Sequence, residues 1–286
     1  MNIVYDVMDA LLPFEFLNFQ FMKNALLAIL LLTPLLGLMG TMAVNQRMAF
    51  FSDALGHSAL TGIGLGIVIG LRSDLAAMLV FGVIWAILIS RIKQTGTTSV
   101  DTIISVFSST SIALGLVILS RGGGFAKYSS LLIGDVLAVT PRDLTWLLLA
   151  LLTGVAAWMV IYNQLLLASI NVSLAKSRGM RTRLVEYGFV VLVAVAVMLS
   201  IRWVGVLLIN ALLILPAAAG RNLARSARSH ALLSVLIAVL SGVTGLTLAF
   251  YWNTSAGAAI VLCAAAFYGV SLLSYSLRRV MDKRKQ

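Results

Sequence analysis

Asp53 and His57 are the residues best suited to chemistry in this sequence, because both lie within an otherwise apolar stretch. Their spacing of four residues places them on one helix face, about one turn apart, and Thr61 and Gly64 continue that face. An ionised Asp at the centre of a membrane helix costs about 2.5–3.5 kcal/mol, so it should face protein, water or a bound cation. A carboxylate oxygen and an imidazole nitrogen on one face can bind a single divalent cation.

A hydrogen bond that only joins two helices is the alternative interpretation of the pair formed by Asp53 and His57. Two ligands are fewer than a tight site uses, since zinc usually takes about four and manganese up to about six. A symmetric homodimer would double the set of ligands, or water and backbone carbonyl oxygens would complete it. Both interpretations are open at this point.

Hydroxyl side chains concentrate in the fourth apolar run of the sequence. They are those of Ser105, Ser108, Ser109, Thr110 and Ser111. Hydroxyls in membrane helices usually bond to carbonyl oxygens of their own helix or of a neighbour, and the lining of a pore is the alternative.

The composition defines the elements that must position these residues. Of 286 residues, 60% are hydrophobic and 11% are charged, and the mean hydropathy is +1.03, whereas about 25% of residues are charged in soluble proteins. A membrane span needs about 20 apolar residues, so the apolar content suits about eight or nine spans. The apolar runs predict nine, at 25–44, 48–71, 75–90, 101–120, 143–162, 185–201, 203–220, 231–250 and 258–276. We therefore predict an all-α polytopic membrane protein in which residues 1–286 form a single transmembrane domain.

A tenth apolar segment, 129–139, is too short to cross a bilayer of about 30 Å at 1.5 Å per residue. This length predicts a re-entrant or interfacial segment packed against protein. The segment contains Asp135 directly after Gly134, where a structural turn is the common interpretation and a contact with a cation on the outer side is the alternative.

The formal net charge of +11 is distributed unevenly between the predicted loops. With nine spans, alternate loops hold fifteen and six of the 21 Lys and Arg residues. The positive-inside rule assigns the richer set to the cytoplasm. We predict an amino terminus outside and a carboxyl terminus in the cytoplasm, and we interpret the charge as a topology signal rather than as a nucleic-acid footprint.

Enzyme activity finds little support in the sequence. The phosphate-binding motif GxxxxGK[ST] of ATPases is absent, because the chain contains no Gly-Lys dipeptide. Gly62, Gly64 and Gly66 lie inside an apolar run, which favours close helix packing over a dinucleotide site. The adjacent His57 and Ser58 point about 100° apart on a helix and cannot form a base–nucleophile pair. We expect neither catalysis nor a bound cofactor.

The predicted inner loop 163–184 contains a second candidate functional segment. Ser173 is predicted to cap a short helix from Leu174 to Arg178, and Gly179 is predicted to end it. Such a helix at the inner surface can act as a rigid lever for a soluble partner. A basic loop that only sets the topology is the alternative.

Residues from about 25 to 276 resemble the permease subunits of bacterial zinc/manganese ABC importers. Five blocks carry this resemblance: 51–60, 133–141, 174–179, 204–218 and 256–262. The first block contains the Asp-x-x-x-His segment, and the resemblance implies that Asp53 and His57 pass the metal. The third block resembles a coupling helix, and the resemblance implies that this helix docks into an ATPase subunit. The implied coupling residues are Ser173, Leu174, Ala175, Lys176 and Gly179.

The sequence departs from the family pattern in two places. Ser173 stands where an acidic residue is common at the start of the coupling helix. Asn253, Ser255 and Ala258 replace the Asp and Pro residues often found around the last outer loop. Asp53 is retained, as is His57.

The resemblance implies an ATP-driven importer that moves Zn²⁺ or Mn²⁺ into the cytoplasm as its transported substrate. It implies a permease homodimer in the bacterial cell membrane, an ATPase subunit at the cytoplasmic face and an extracytoplasmic metal-binding protein. An ABC permease for a chelated-iron complex or another larger solute is one alternative. A stand-alone ion-coupled carrier with Asp53 as its protonatable group is another. The sequence does not choose between zinc and manganese.

Overall fold

A computed structural model describes residues 5, 6, 8, 15–121, 128 and 134–283 of the chain. Within these residues the chain forms nine α-helices and no strand. The helices are α1 (Gln20–Asn45), α2 (Phe51–Ile69), α3 (Asp74–Lys93), α4 (Val100–Arg121), α5 (Pro141–Ile170), α6 (Val172–Ser177), α7 (Thr182–Leu223), α8 (Ala227–Trp252) and α9 (Ala256–Lys283). All of them except the short α6 are long and apolar enough to cross a membrane. The predicted all-α polytopic membrane fold is confirmed.

Helix α7 accounts for the difference between nine predicted spans and eight span-length helices in the described part of the chain. Its 42 residues contain both predicted spans, 185–201 and 203–220. At 1.5 Å per residue it measures about 63 Å, about twice the thickness of the hydrocarbon core. Gly205 interrupts it with φ 78° and ψ 164°, a backbone conformation that favours glycine. The break therefore lies a few residues beyond the boundary predicted at Arg202.

Only part of the predicted short segment 129–139 lies among the described residues, because 129–133 are outside them. The remainder contains a 3-10 turn at Val136–Ala138. Asp135 caps this turn, since its Oδ1 accepts a hydrogen bond from the Leu137 N–H at 3.0 Å. This contact supports the structural interpretation of Asp135, whereas the re-entrant placement of the segment stays a prediction.

The contacts within the chain define two compact units. The first unit comprises Met1–Thr41, Gly134–Leu151 and Ala211–Gln286, and the second comprises Met42–Ile133 and Leu152–Asn210. The second unit contains α2, α3, α4 and the first part of α7, and it therefore holds the residues that the sequence selected for chemistry. The prediction of a single domain remains untested.

Glycines bring α2 into close contact with its neighbours in the second unit. A Cβ added at Gly62 would lie 3.0 Å from the Ala77 carbonyl oxygen of α3, and one at Gly64 would lie 3.0 Å from Ile118 Cγ2 of α4. Contacts this short are tighter than most Cβ contacts in proteins, so a side chain here would have to displace its neighbour. The interpretation of these glycines as helix-packing residues is confirmed.

A polar cluster joins the segment before α2 to the end of α3 and the start of α7. Lys93 Nζ lies 2.9 Å from Glu186 Oε1 and donates to Gln46 Oε1 at 3.3 Å. Gln94 Nε2 donates to Glu186 Oε2 at 3.4 Å. The side chains of Lys93 and Glu186 are only 18% and 21% exposed, so this ion pair is better shielded from water than a surface pair.

Reversing one charge of this pair should destabilise the protein. Lys93→Glu places two carboxylates together and should lower the free energy of unfolding by about 1–3 kcal/mol, as loss of a charged hydrogen bond does. Glu186→Lys should have a similar effect, and the double exchange should recover most of the loss. Thermal unfolding of the purified protein in detergent measures the effect. Equal stability of the two single variants and the wild type would contradict a stabilising pair.

Candidate metal site

Asp53 and His57 form the least buried part of the first two turns of α2. Their neighbours on the helix, from Ser52 to Ser58, are otherwise buried. The His57 Nε2 lies 3.4 Å from Asp53 Oδ1, and the two side chains are 22% and 40% exposed. The predicted common face is therefore confirmed in its geometry, and both side chains are partly exposed.

Thr61 continues the same face, but its side chain joins α2 to α4. Its side chain is buried, and its Oγ1 donates to the Ser111 carbonyl oxygen of α4. Gly64 lies against Ile118 of the same helix. The accessible part of the face therefore ends at His57, because α4 covers the turns that follow.

Two further polar side chains reach Asp53 from other helices of the second unit. Asn210 of α7 donates from Nδ2 to Asp53 Oδ1 at 2.8 Å. Ser108 of α4 donates from Oγ to Asp53 Oδ2 at 3.4 Å. The carboxylate of Asp53 thus has polar partners on both oxygens, supplied by α2, α4 and α7.

Ser108 is the member of the hydroxyl group of α4 that reaches the site. Ser105, Ser109 and Thr110 are exposed, whereas Ser111 is buried. The predicted pore lining stays a prediction for the three exposed residues. Asn210 was not among the predicted site residues. The available signal was a lone amide within an otherwise apolar run, Val206–Leu213.

The backbone of α7 brings Asn210 to the site through a close contact beside the Gly205 break. A Cβ added at Gly56 of α2 would collide with Val206, the residue that follows the break. The absence of a side chain at Gly56 therefore lets α7 approach α2 between the two candidate ligands in the sequence. Asn210 lies about one turn beyond Val206 and faces Asp53.

The atomic separations suit a cation shared by two side chains. Two ligand atoms about 2.1 Å from one metal ion, at angles of about 90–110°, are about 3.0–3.4 Å apart. The distance of 3.4 Å between His57 Nε2 and Asp53 Oδ1 falls in this range. In the described part of the chain, no group of three or more His, Cys, Asp or Glu residues could hold a metal ion. One chain therefore offers two strong ligands with neutral oxygen groups beside them.

The predicted coupling segment forms helix α6, but its cap differs from the prediction. Asn171, not Ser173, caps the helix, and its Oδ1 accepts from the Leu174 N–H at 3.0 Å. A cap side chain reaches the N–H two or three residues ahead, and from position 171 it meets the first turn of the helix. Gly179 follows the helix with φ 75°, a left-handed conformation that suits the predicted end of the helix.

The surface of α6 combines apolar and basic groups. Ala175 is buried and fixes the helix, whereas Leu174 is 43% exposed and Lys176 is exposed. The apolar Val172 at its start is exposed as well. An assignment of α6 to a partner surface remains a proposal at this point.

Comparison with known proteins relates this arrangement to a family. The family model described as the ABC 3 transport family matches residues 18–275, which is most of the chain. The chain belongs to the ABC 3 transport family. The resemblance drawn from the sequence motifs is confirmed, and the chain is a multi-pass protein of the bacterial cell membrane.

Curated relatives in this family carry names of two metals. The manganese import system permease protein ScaB of Streptococcus parasanguinis is 32% identical over 257 residues, covering 89% of this chain and 90% of the relative. The high-affinity zinc uptake system membrane protein ZnuB of Haemophilus influenzae is 29% identical over 255 residues, covering 89% and 97%. The chain is thus similar, at about the same sequence identity, to a protein named for manganese and to one named for zinc.

A solved structure supports the same assignment of the fold. PsaBC from Streptococcus pneumoniae in complex with Fab has a TM-score of 0.77 and 30% sequence identity, covering 95% of both chains. An inward-facing metal-chelate type ABC transporter has a TM-score of 0.69 at 14% identity, covering 88% of this chain and 85% of that chain, which shows a shared fold.

Filling the space at Gly56 should disturb the site. Gly56→Ala places a methyl group against Val206 and should lower the stability of the protein by about 1–3 kcal/mol, as overpacking does. Gly188→Ala is the matched control, because Gly188 lies in α7 and a Cβ there would meet no atom within 4 Å. Thermal unfolding in detergent compares the two. The close approach of α2 and α7 is refuted if both variants unfold at the wild-type temperature.

Proposed function

We propose that this chain is the permease subunit of an ATP-driven importer that moves Zn²⁺ or Mn²⁺ into the cytoplasm. The observation that carries the proposal is the partly exposed Asp53–His57 pair in a membrane-spanning helix. A carboxylate is costly in a membrane helix, and a cation pathway is a common reason for one there. The manganese and zinc systems named among the relatives support this substrate class.

The small number of strong ligands suits transport rather than storage. Asp53 and His57 supply one oxygen and one nitrogen from each chain, whereas a closed zinc site uses about four ligands. A second copy of the chain would supply the same pair again, and we propose a homodimer for this reason. A cation held by few ligands can leave again, which conduction requires.

Energy must come from a partner in this proposal. The sequence contains no P-loop motif, so we assign ATP hydrolysis to a separate ATPase subunit that binds at α6. The proposed contact residues are Ser173, Leu174, Lys176 and Gly179, and the buried Ala175 of the predicted set would hold the helix in place. Movement of α6 would be transmitted to the membrane helices by rigid-body motion. An extracytoplasmic metal-binding protein would deliver the ion on the other side, and the chain itself would bind no cofactor.

Removal of either candidate ligand should abolish uptake. Asp53→Ala and His57→Ala each delete half of the pair, and loss of a ligand should reduce metal transport at least about 100-fold, since even outer-shell partners cost 10–100-fold. Uptake of ⁵⁴Mn and ⁶⁵Zn by cells that express the complete transporter measures the effect. Asp101→Ala is the control, because Asp101 is an exposed carboxylate in the first turn of α4.

Normal uptake by Asp53→Ala at normal membrane abundance would exclude this site. Metal transport by the purified chain alone in liposomes, driven by a proton gradient without an ATPase, would instead support the stand-alone carrier.

We further propose that the amino terminus lies outside and the carboxyl terminus in the cytoplasm. This orientation requires α7 to cross the membrane twice, with Arg202 near the outer surface and Arg225 in the cytoplasm. A background without cysteine needs only Cys263→Ser, because the sequence has one cysteine. Single cysteines are then introduced at the exposed positions 202 and 225.

A membrane-impermeant maleimide should label Arg202→Cys in intact cells. It should label Arg225→Cys only after the cells are permeabilised. Labelling of Arg225→Cys in intact cells would place this position outside and contradict the proposed orientation.

A further inference from the structure

The amide of Asn210 has one end bonded and the other end without a partner. Its Nδ2 donates to Asp53 Oδ1 at 2.8 Å. Its Oδ1 is buried and accepts no hydrogen bond among the described residues. A buried acceptor without a donor costs free energy, so such an atom calls for an explanation. Here it belongs to a side chain that already touches the candidate metal ligand.

The bound end of the amide contacts the same carboxylate oxygen that a shared metal ion would use. Asp53 Oδ1 is the oxygen nearest to His57 Nε2, and it is also the oxygen that accepts from Asn210. A cation shared by Asp53 and His57 would meet the N–H groups of Asn210, which repel it. When an ion binds, the Asn210 side chain must therefore either move away from Asp53 or rotate so that its amide oxygen faces the ion.

Turning over would present the amide oxygen, rather than the N–H groups, to the ion. Rotation by about 180° about the Cβ–Cγ bond exchanges the amide oxygen and nitrogen at nearly the same positions. The Asn210 oxygen would then lie about 2.8 Å from Asp53 Oδ1, close to the roughly 3.0 Å between two oxygens bound at about 90° to one cation. Little movement of the backbone is needed for this exchange.

We propose that Asn210 is a third ligand of the transported ion in each chain and that it favours Mn²⁺ over Zn²⁺. In the empty site the amide donates to Asp53, and in the loaded site it accepts the ion through Oδ1. An amide oxygen is a hard ligand that suits manganese, whereas zinc is satisfied by fewer ligands and prefers nitrogen and sulfur. In a homodimer, the three side chains of each copy would give an octahedral set. This inference rests on the proposed function.

The test compares the affinity of the purified permease–ATPase complex for Mn²⁺ and for Zn²⁺, each added alone as its chloride. Asn210→Leu removes the amide oxygen at similar volume, and it should raise the Kd for Mn²⁺ about 10–100-fold, with a clearly smaller change for Zn²⁺. Asn210→Asp keeps an oxygen at this position and should retain Mn²⁺ binding at wild-type strength or better. Asn222→Leu is the matched control, because Asn222 lies further along α7 and bonds to Ser271 of α9.

A purely structural role for Asn210 gives a different result. An equal rise in Kd for both metals in Asn210→Leu would mean that the amide only orients Asp53, and it would overturn the proposal. Unchanged affinities would overturn it as well. If Asn210→Leu does not fold, Asn210→Asp alone tests the proposal, and Mn²⁺ binding by this variant that is weaker than in the wild type would overturn it.

Metal binding by Asp53→Ala distinguishes a failure of this inference from a failure of the proposed function. Loss of binding in Asp53→Ala with an unchanged metal ratio in Asn210→Leu rejects only the role of Asn210. Undiminished binding in Asp53→Ala rejects the metal site itself.

Discussion

An ionisable carboxylate inside an apolar helix must be balanced by nearby polar groups, and this requirement organises the centre of the second unit. Asp53 would cost about 2.5–3.5 kcal/mol if it faced lipid at the middle of the membrane. Instead α2, α4 and α7 each direct one polar side chain to it, those of His57, Ser108 and Asn210. The packing of these three helices therefore also determines which polar side chains surround Asp53.

The glycines of α2 make this convergence possible. Gly56 admits Val206 of α7, and Gly62 and Gly64 admit α3 and α4. At Gly62 the neighbouring backbone itself lies against α2, whereas at Gly56 and Gly64 branched side chains of the neighbouring helices fill the space. The polar side chains around Asp53 therefore lie on packed helices, and a binding site needs such rigid support.

The sequence predicted what depends on short spacing and on long apolar runs. The span-length helices followed from the apolar runs, and the proximity of Asp53 and His57 followed from helical periodicity. Asn210 could not be predicted as a partner of Asp53, because 157 residues separate them and only tertiary packing brings them together. The resemblance named the family but gave no reason to select this amide.

Errors at element boundaries arose where neighbouring residues have similar propensities. Asn171 and Ser173 are both residue types that often cap helices. The residue that caps α6 is the one whose backbone is extended, and this is Asn171, with φ −151° and ψ 105°. Likewise, Arg202 marks a polar position in the long apolar run of α7, but the chain breaks at Gly205, where a positive φ costs least.

Asp53 lies in the first turn of α2, and this position has an electrostatic consequence. The amino-terminal end of a helix carries about half a positive charge, which stabilises a nearby carboxylate by about 0.3–1 kcal/mol at exposed positions. The same field opposes any cation that binds to that carboxylate. The helix end thus offsets part of the negative charge of Asp53, and in the proposed site it would favour departure of the ion without any change in the ligands.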